Sequence, residues 1–338
     1  MFIIREVFFN KFPQNLNLSF VIILLSYQNL KETMDTIIKL SSLGDIIHSL
    51  VVLPKLEEKI DFVVDESFKD ILQDNPYINN IVPVNLRAAK KDKKQLWNIY
   101  KELRQKTYQN VYDLQGLIKS ALVARIIGNE VIGYANPREK IASIFYDKKI
   151  KSKKKFAVQR YLELFEMEDD GYLINHPKLL FYKDREFEYL SRERKNIVFI
   201  IGASWECKKT PLHVWTELAE YFKNENIIVP YVGENEKKEA FFIADKAKNV
   251  TPVSLNLNDL KALIDKSDLL IGNDTGPSFI AWANNINNVI LYGCTYNNKI
   301  LENRYSKSVE IQNKEINKRL NVMDKMDVKN IIKRTDEF

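Results

Sequence analysis

The stretch Thr36-Ile37-Ile38-Lys39-Leu40-Ser41-Ser42-Leu43-Gly44-Asp45-Ile46-Ile47-His48 decides the fold class. A short apolar run ends in small polar residues and a glycine, and a helical pattern follows at once. That is a strand feeding a helix, and the chain repeats the unit, which is the signature of an α/β fold with mainly parallel sheets. In the first half the strand candidates are 36–40, 59–64, 80–84, 110–114 and 130–134, with helix-like stretches such as 44–56 and 95–106 between them. The second half restarts the pattern with strands at 196–200, 227–232, 250–252, 269–271 and 289–292, and helices at 213–223, 236–247 and 257–266. Polar residues 171–195 break the two series. The expectation is two Rossmann-like, doubly wound domains, 34–180 and 181–338, facing a cleft at the carboxyl ends of both sheets.

Bulk composition fits that picture. A chain of 338 residues, 45% hydrophobic and 28% charged, is that of a globular protein able to bury two cores. Cys207 and Cys294 are distant in sequence, which predicts a reducing compartment and no disulfide. Three histidines leave little for a metal centre. The net charge of +6 is unevenly spread: seven Lys/Arg and no acid lie between Lys148 and Arg160, and four lysines surround one aspartate in 90–94. These runs are either solvated loops or a surface for an anionic partner such as lipid headgroups. Without interleaved aromatics or a binding motif, they do not point to nucleic acid.

Residues 1–33 stand apart. The apolar run 18–25 is well short of the roughly 20 residues needed to span a bilayer, and no small-residue cleavage site follows it. Met34 precedes the first strand, so 1–33 is read as an extension of doubtful origin, with a weak membrane-surface anchor as the alternative.

Four loops carry candidate chemistry. In the first, Ser42, Gly44, Asp45 and His48 sit where α/β folds place ligands. Asp45 is either a helix cap, worth about 1 kcal/mol, or a general base facing the cleft. His48 faces the same side or is buried in the helix. The second loop runs from Gly202 through Ser204 to Lys208 and Pro211, and small residues with a lysine suit phosphate oxygens. In the third, Asp274, Thr275, Gly276, Pro277 and Ser278 join a strand to a helix, with amides of Thr275, Gly276 and Ser278 near a helix start. Asp274 caps that helix or binds sugar hydroxyls. In the fourth, Glu236 is a ribose ligand or a solvated helix start.

Taken together, the Ser-x-Gly-Asp-x-x-His segment ending at His48, Asp113-Leu-Gln-Gly, the Gly-Ala-Ser…Lys segment around Lys208 and Asn-Asp-Thr-Gly at 273–276 resemble the lipopolysaccharide heptosyltransferases of glycosyltransferase family 9. The resemblance spans about Met34 to Tyr305, and the opening of the first helix is more similar to the type I enzymes than to type II. It implies a GT-B fold, an ADP-heptose donor, Kdo-lipid A as acceptor, inversion without a metal or other cofactor, and a cytoplasmic enzyme peripheral to the inner membrane. Asp45 then matches the general base and Lys208 the diphosphate lysine. Ser42, Gly44, His48, Ser204, Glu236, Asp274, Thr275, Gly276 and Ser278 become the substrate-binding set. One position departs: Phe279 stands where the family carries a histidine, so that either a neighbour such as Ser278 substitutes, or donor binding is weaker, or the chain is a divergent paralogue. The polar run 284–288 is also unusual, and the family pattern brings the last helix back onto the first domain. The competing readings are a type II enzyme, a nucleotide-sugar epimerase and a non-catalytic nucleotide-sugar binder.

Overall fold

The computed structural model describes residues 34–86, 93–311 and 322–338. The extension 1–33 and residues 90–92 of the first basic run lie outside the described residues. The first sheet contains β1 (Thr36–Ile38), β2 (Ile60–Asp65), β3 (Ile78–Val84), β4 (Tyr108–Asp113), β5 (Gly128–Tyr134) and β6 (Lys148–Ile150). The second contains β7 (Asn196–Ile200), β8 (Asn226–Tyr231), β9 (Val250–Ser254), β10 (Leu269–Asn273), β11 (Asn288–Tyr292) and β12 (Ser306–Glu310). Every strand pair is parallel.

Strand order is β3-β2-β1-β4-β5-β6 in one sheet and β9-β8-β7-β10-β11-β12 in the other. Each is the doubly wound 3-2-1-4-5-6 order, whose direction reverses between its first and fourth strands. The reversal points are therefore β1/β4 and β7/β10. The carboxyl ends of those four strands and the loops after them carry Asp45, Asp113, Lys208 and Asp274, so topology alone places the candidate residues at the two crevices.

The helices are α1 (Leu43–Ser49), α2 (Lys93–Arg104), α3 (Ile118–Ile127), α4 (Ala157–Leu164), α5 (Leu212–Tyr221), α6 (Gly233–Lys246), α7 (Leu257–Asp265), α8 (Ser278–Ala283) and α9 (Val328–Thr335). After α1 the chain tightens into a 3₁₀ turn over Leu50–Lys55, which ends beside Pro54, a residue with no amide to continue it. Strands β1 and β2 are buried along their whole length, as parallel strands covered on both faces must be.

Two edge strands, β6 and β12, escape the sequence pattern. β6 is three residues long, carries two lysines and lies in the basic run read as either a solvated loop or a surface for an anionic partner. Lysines on an edge strand discourage pairing with another chain, which accounts for part of that charge. At the opposite end, α9 packs on α5, β11 and β12 of the second sheet rather than returning to the first domain.

Chain 176–180 straps the halves together, and the unusual asparagines hold it. Asn284 Oδ1 accepts from Leu180 N (3.1 Å), Asn285 Nδ2 donates to His176 O (2.9 Å), and Leu179 N donates to Ala283 O (2.9 Å). From the first half, Asn75 Nδ2 donates to Leu179 O (2.9 Å). Fully buried Lys261 of α7 adds a direct link, donating to Ile71 O (3.3 Å) and Gln73 O (3.0 Å). Burial pulls its ammonium down to about 8, opposed by Asp74 and Asp70. The polar run is thus backbone satisfaction in a segment with no ladder of its own.

Asn284→Ala leaves the buried Leu180 amide without its acceptor. Urea denaturation should show a loss of about 1–3 kcal/mol, whereas an exposed control such as Lys248→Ala should stay close to wild type.

Candidate active site

Asp45 occupies the first turn of α1, and both readings of it apply at once. Ser42 Oγ donates to Asp45 Oδ2 (3.0 Å) and Ser42 N reaches the same oxygen (3.5 Å), closing a capping box. The other oxygen, Oδ1, accepts from Lys299 Nζ at 2.9 Å, and Lys299 lies in the loop after β11 of the opposite sheet. Burial alone would raise the Asp45 carboxyl. Lys39 first, and then Lys299, outweigh it and hold the group well below the usual carboxylate range.

Lys39 is the buried partner. It interrupts the apolar β1 run, donates to Leu114 O (3.0 Å) and lies over the Tyr161 ring at 5.3 Å. Burial lowers it to about 8, opposed chiefly by Asp45. The loop after β4 is tied in by the same network. Asp113 accepts from the Gln115 and Gly116 amides, from Ser120 and from Tyr146, and Gln115 Oε1 accepts from Ser41 N (3.1 Å).

On the second sheet, Lys208 Nζ donates to Asp274 Oδ2 (2.5 Å) and to Asp274 O (3.2 Å), and Thr295 Oγ1 donates to the same carboxylate oxygen (2.7 Å). Asn273, fully buried, joins the loops beneath them: it accepts from Thr210 N (3.2 Å) and Thr210 Oγ1 (2.5 Å) and donates to Ile201 O (2.7 Å). An ammonium has three N–H groups, so Lys208 keeps one for an arriving anion. Asp274 serves Lys208 rather than capping α8.

The two sets of loops touch directly. A Cβ on Gly44 would meet Phe279 at 3.1 Å, and one on Gly276 would meet Leu43 at 2.7 Å. Glycine at these positions lets α1 and the loop after β10 approach to van der Waals contact.

Several expected site residues have other roles. His48 is 1% exposed, both ring nitrogens lack a partner, and its ring stands edge-on 4.2 Å from Phe279 and 5.6 Å from Trp282. Burial drives it down to about 3, so it is a neutral packing residue and not a ligand. Ser278 does not replace the missing histidine, because its buried hydroxyl donates to Asn273 O (2.6 Å). The Thr275 and Ser278 amides are spent on Asn273 O (2.7 Å) and Thr275 O (3.2 Å). Glu236 folds over Gly202, its carboxylate occupying the space a Cβ there would take, and accepts from Val232 N (2.9 Å). Ser204 is exposed beside Lys208's turn.

The cysteines are a correction. Cys207 and Cys294, 87 residues apart, are joined as a disulfide with Cα atoms 5.5 Å apart. Both follow strands whose carboxyl ends share one edge of the second sheet, a proximity that sequence separation conceals. Lys39, Lys299, Asn273, Thr210 and Thr295 were missed as site residues; a lysine inside an apolar strand was the one signal available, at Lys39. Among the described residues no three His, Cys, Asp or Glu side chains gather as metal ligands.

Comparison with known proteins fits this geometry. The sequence profile of glycosyltransferase family 9 (heptosyltransferase) matches residues 96–330. The chain belongs to that family. Lipopolysaccharide heptosyltransferase 1 of Campylobacter coli is 33% identical over 294 residues, covering 77% of this chain and 83% of that protein. The Pseudomonas aeruginosa protein of the same name is 28% identical, over 77% and 78% of the two chains. Among solved structures, E. coli heptosyltransferase WaaC with ADP superposes with a TM-score of 0.75 at 22% identity, over 90% of this chain and 99% of that one. The family 9 glycosyl transferase of Veillonella parvula gives 0.74 at 17% identity, over 91% and 98%. The fold is therefore GT-B, and the chain is a glycosyltransferase.

Two outcomes follow from the contact between the halves. Gly276→Ala should lower stability by about 1–3 kcal/mol through overpacking, and more than Gly44→Ala, as read from denaturant midpoints. His48 has a folded value of about 3 against 6.5 unfolded. The unfolded chain thus binds the extra proton between these values, and stability falls as pH drops through that window. His48→Gln should flatten the pH dependence by at most about 1.4 kcal/mol per pH unit, the slope of one proton.

Proposed function

We propose that the chain transfers L-glycero-D-manno-heptose from ADP-heptose to the Kdo of lipid A in the lipopolysaccharide inner core, with inversion and without a metal ion. Lipopolysaccharide heptosyltransferase is the activity named for its relatives. The observation that carries the finer reading is the contact across one cleft between the helix of Asp45 and the loop of Asp274, whose carboxylate holds Lys208.

An inverting displacement needs a base on the acceptor hydroxyl and stabilisation of the departing diphosphate. Asp45 supplies the first. Its carboxylate is ionised, its plane is set by Ser42 and Lys299, and lone pairs remain for a hydroxyl proton. Lys208 supplies the second through its remaining N–H and its charge. Asp274 holds that lysine in place and is in turn held by Thr295. The bond formed joins the acceptor oxygen to the heptose anomeric carbon, the bond broken is anomeric carbon to phosphate oxygen, and the acceptor proton passes to Asp45.

The acceptor is anchored in a membrane, and the surface beside the cleft suits an anionic one. Lys151, Lys153, Lys154 and Lys155 are exposed and directly precede α4. Such lysines contribute about 1 kcal/mol each near anionic lipid. Among the described residues no helix is long and apolar enough to cross a membrane. A peripheral position at the inner face of the inner membrane follows from this reading.

Asp45→Ala should abolish transfer from ADP-heptose to Kdo-lipid A while ADP binding stays within about twofold; retained transfer would remove the base. Lys208→Ala should weaken ADP binding by about 1.5–3 kcal/mol, the value of a charge-assisted bond, and wild-type affinity in calorimetry would remove Lys208 from the donor site.

A further inference from the structure

Asp45 is held by two ammonium groups of unlike mobility. Lys39 is buried and bonded to Leu114 O. Lys299 is half-exposed and comes from the other sheet. Its backbone is nonetheless fixed: the first amides of α4 grip the loop, Ala157 N donating to Asn298 O (3.0 Å) and Val158 N to Lys299 O (3.2 Å). The side chain is aimed at Asp45 by a helix end of the first domain.

This arrangement conflicts with proton abstraction. A carboxylate bonded to one ammonium and lying in the field of a second, buried one is a weak base, since base strength follows proton affinity. Lys39 has nowhere to go, so Lys299 is the group that must yield when a hydroxyl arrives. A displaced ammonium in a partly enclosed cleft needs another anion. The carboxylates on the neighbouring stretch are engaged: Asp274 with Lys208 and Thr295, Glu302 with the Ser308 amide (2.8 Å) and hydroxyl, and Glu310 with the Asn297 amide (3.1 Å). In the proposed reaction the donor diphosphate falls to Lys208. The remaining source of negative charge is the acceptor.

We propose that Lys299 is a specificity-determining residue that binds a carboxylate carried by the acceptor beside its nucleophilic hydroxyl, and that its bond to Asp45 is the resting arrangement of the empty cleft. The Kdo already proposed as acceptor carries such a carboxylate, and in the resting cleft the base and the ammonium that would receive its hydroxyl and its carboxylate lie 2.9 Å apart. This rests on Asp45 as the base of the proposed reaction. The exchange also restores proton affinity to Asp45 at the moment the hydroxyl is in place.

The test reads binding, so that it is independent of turnover. With ADP present, calorimetry would compare the methyl glycoside of Kdo with its carboxamide on wild type, Lys299→Met and Lys299→Arg. Wild type should prefer the acid by about tenfold or more, the worth of a charge-assisted bond. Lys299→Met should bind the two alike with unchanged ADP affinity, and Lys299→Arg should restore most of the preference. The proposal is overturned by a wild type that binds no acid or shows no preference. It is equally overturned by a Lys299→Met variant that keeps the preference, or that loses acid and amide by the same factor. An Asp45→Ala variant that still transfers would strike the proposed base and leave the Lys299 measurement standing.

Discussion

Asp45 keeps its negative charge in a place where burial opposes it, and much of the cleft is arranged around that constraint. Removing a carboxylate from water costs several kcal/mol even after the protein relaxes. Lys39, just beyond the end of β1, offsets it, but a buried lysine raises the same difficulty one step further in. Leu114 O receives one of its N–H groups, which fixes the loop after β4. Asp113 then takes the amides and hydroxyls of that loop, and Gln115 returns to the Ser41 amide two residues beyond Lys39. The polar circuit closes on itself within the first sheet. Only the second oxygen's neighbour, Lys299, comes from outside it.

The second sheet solves the same problem with different residues. Asp274 is buried and takes one ammonium and one hydroxyl, while Asn273 ties the strand ends together below it. Each half thus offers the cleft a carboxylate already matched to a lysine. What brings the halves into register is apolar and small: Gly44 on Phe279, Gly276 on Leu43, and His48 between Phe279 and Trp282. Charge defines the chemistry of the cleft, and the absence of two Cβ atoms defines its width.

The strands were legible because parallel, doubly covered strands read as apolar runs whatever lies around them; β7 at Asn196–Ile200 matches its predicted bounds. β6 and β12 were not, since short edge strands are polar by necessity and look like loops. Cleft loops were legible for a topological reason, as ligands sit beyond the carboxyl ends of strands at the reversal points. Individual roles inside them were less so. Lys299 lies 254 residues from Asp45 and Cys294 lies 87 from Cys207, and no local pattern carries such pairings. Ser278 and His48 have polar side chains at plausible spacing, yet backbone geometry turns both inward.

Phe279 shows how packing and polarity trade at such a junction. The position is 3% exposed and faces an imidazole whose nitrogens already lack partners. A histidine there, as in the family pattern, would set a second unpaired imidazole against the first, each losing its hydration with no compensating bond. Phenylalanine fills the same space and removes that cost, and its ring edge packs under the Gly44 backbone. The polar contribution that a histidine would make at the donor loop is then left to groups that remain accessible, chiefly Lys208 and Thr295. The junction between the halves becomes more apolar, and contact between α1 and α8 no longer depends on a hydrogen bond from that position. In this chain the link across the cleft at Asp45 is electrostatic, through Lys299.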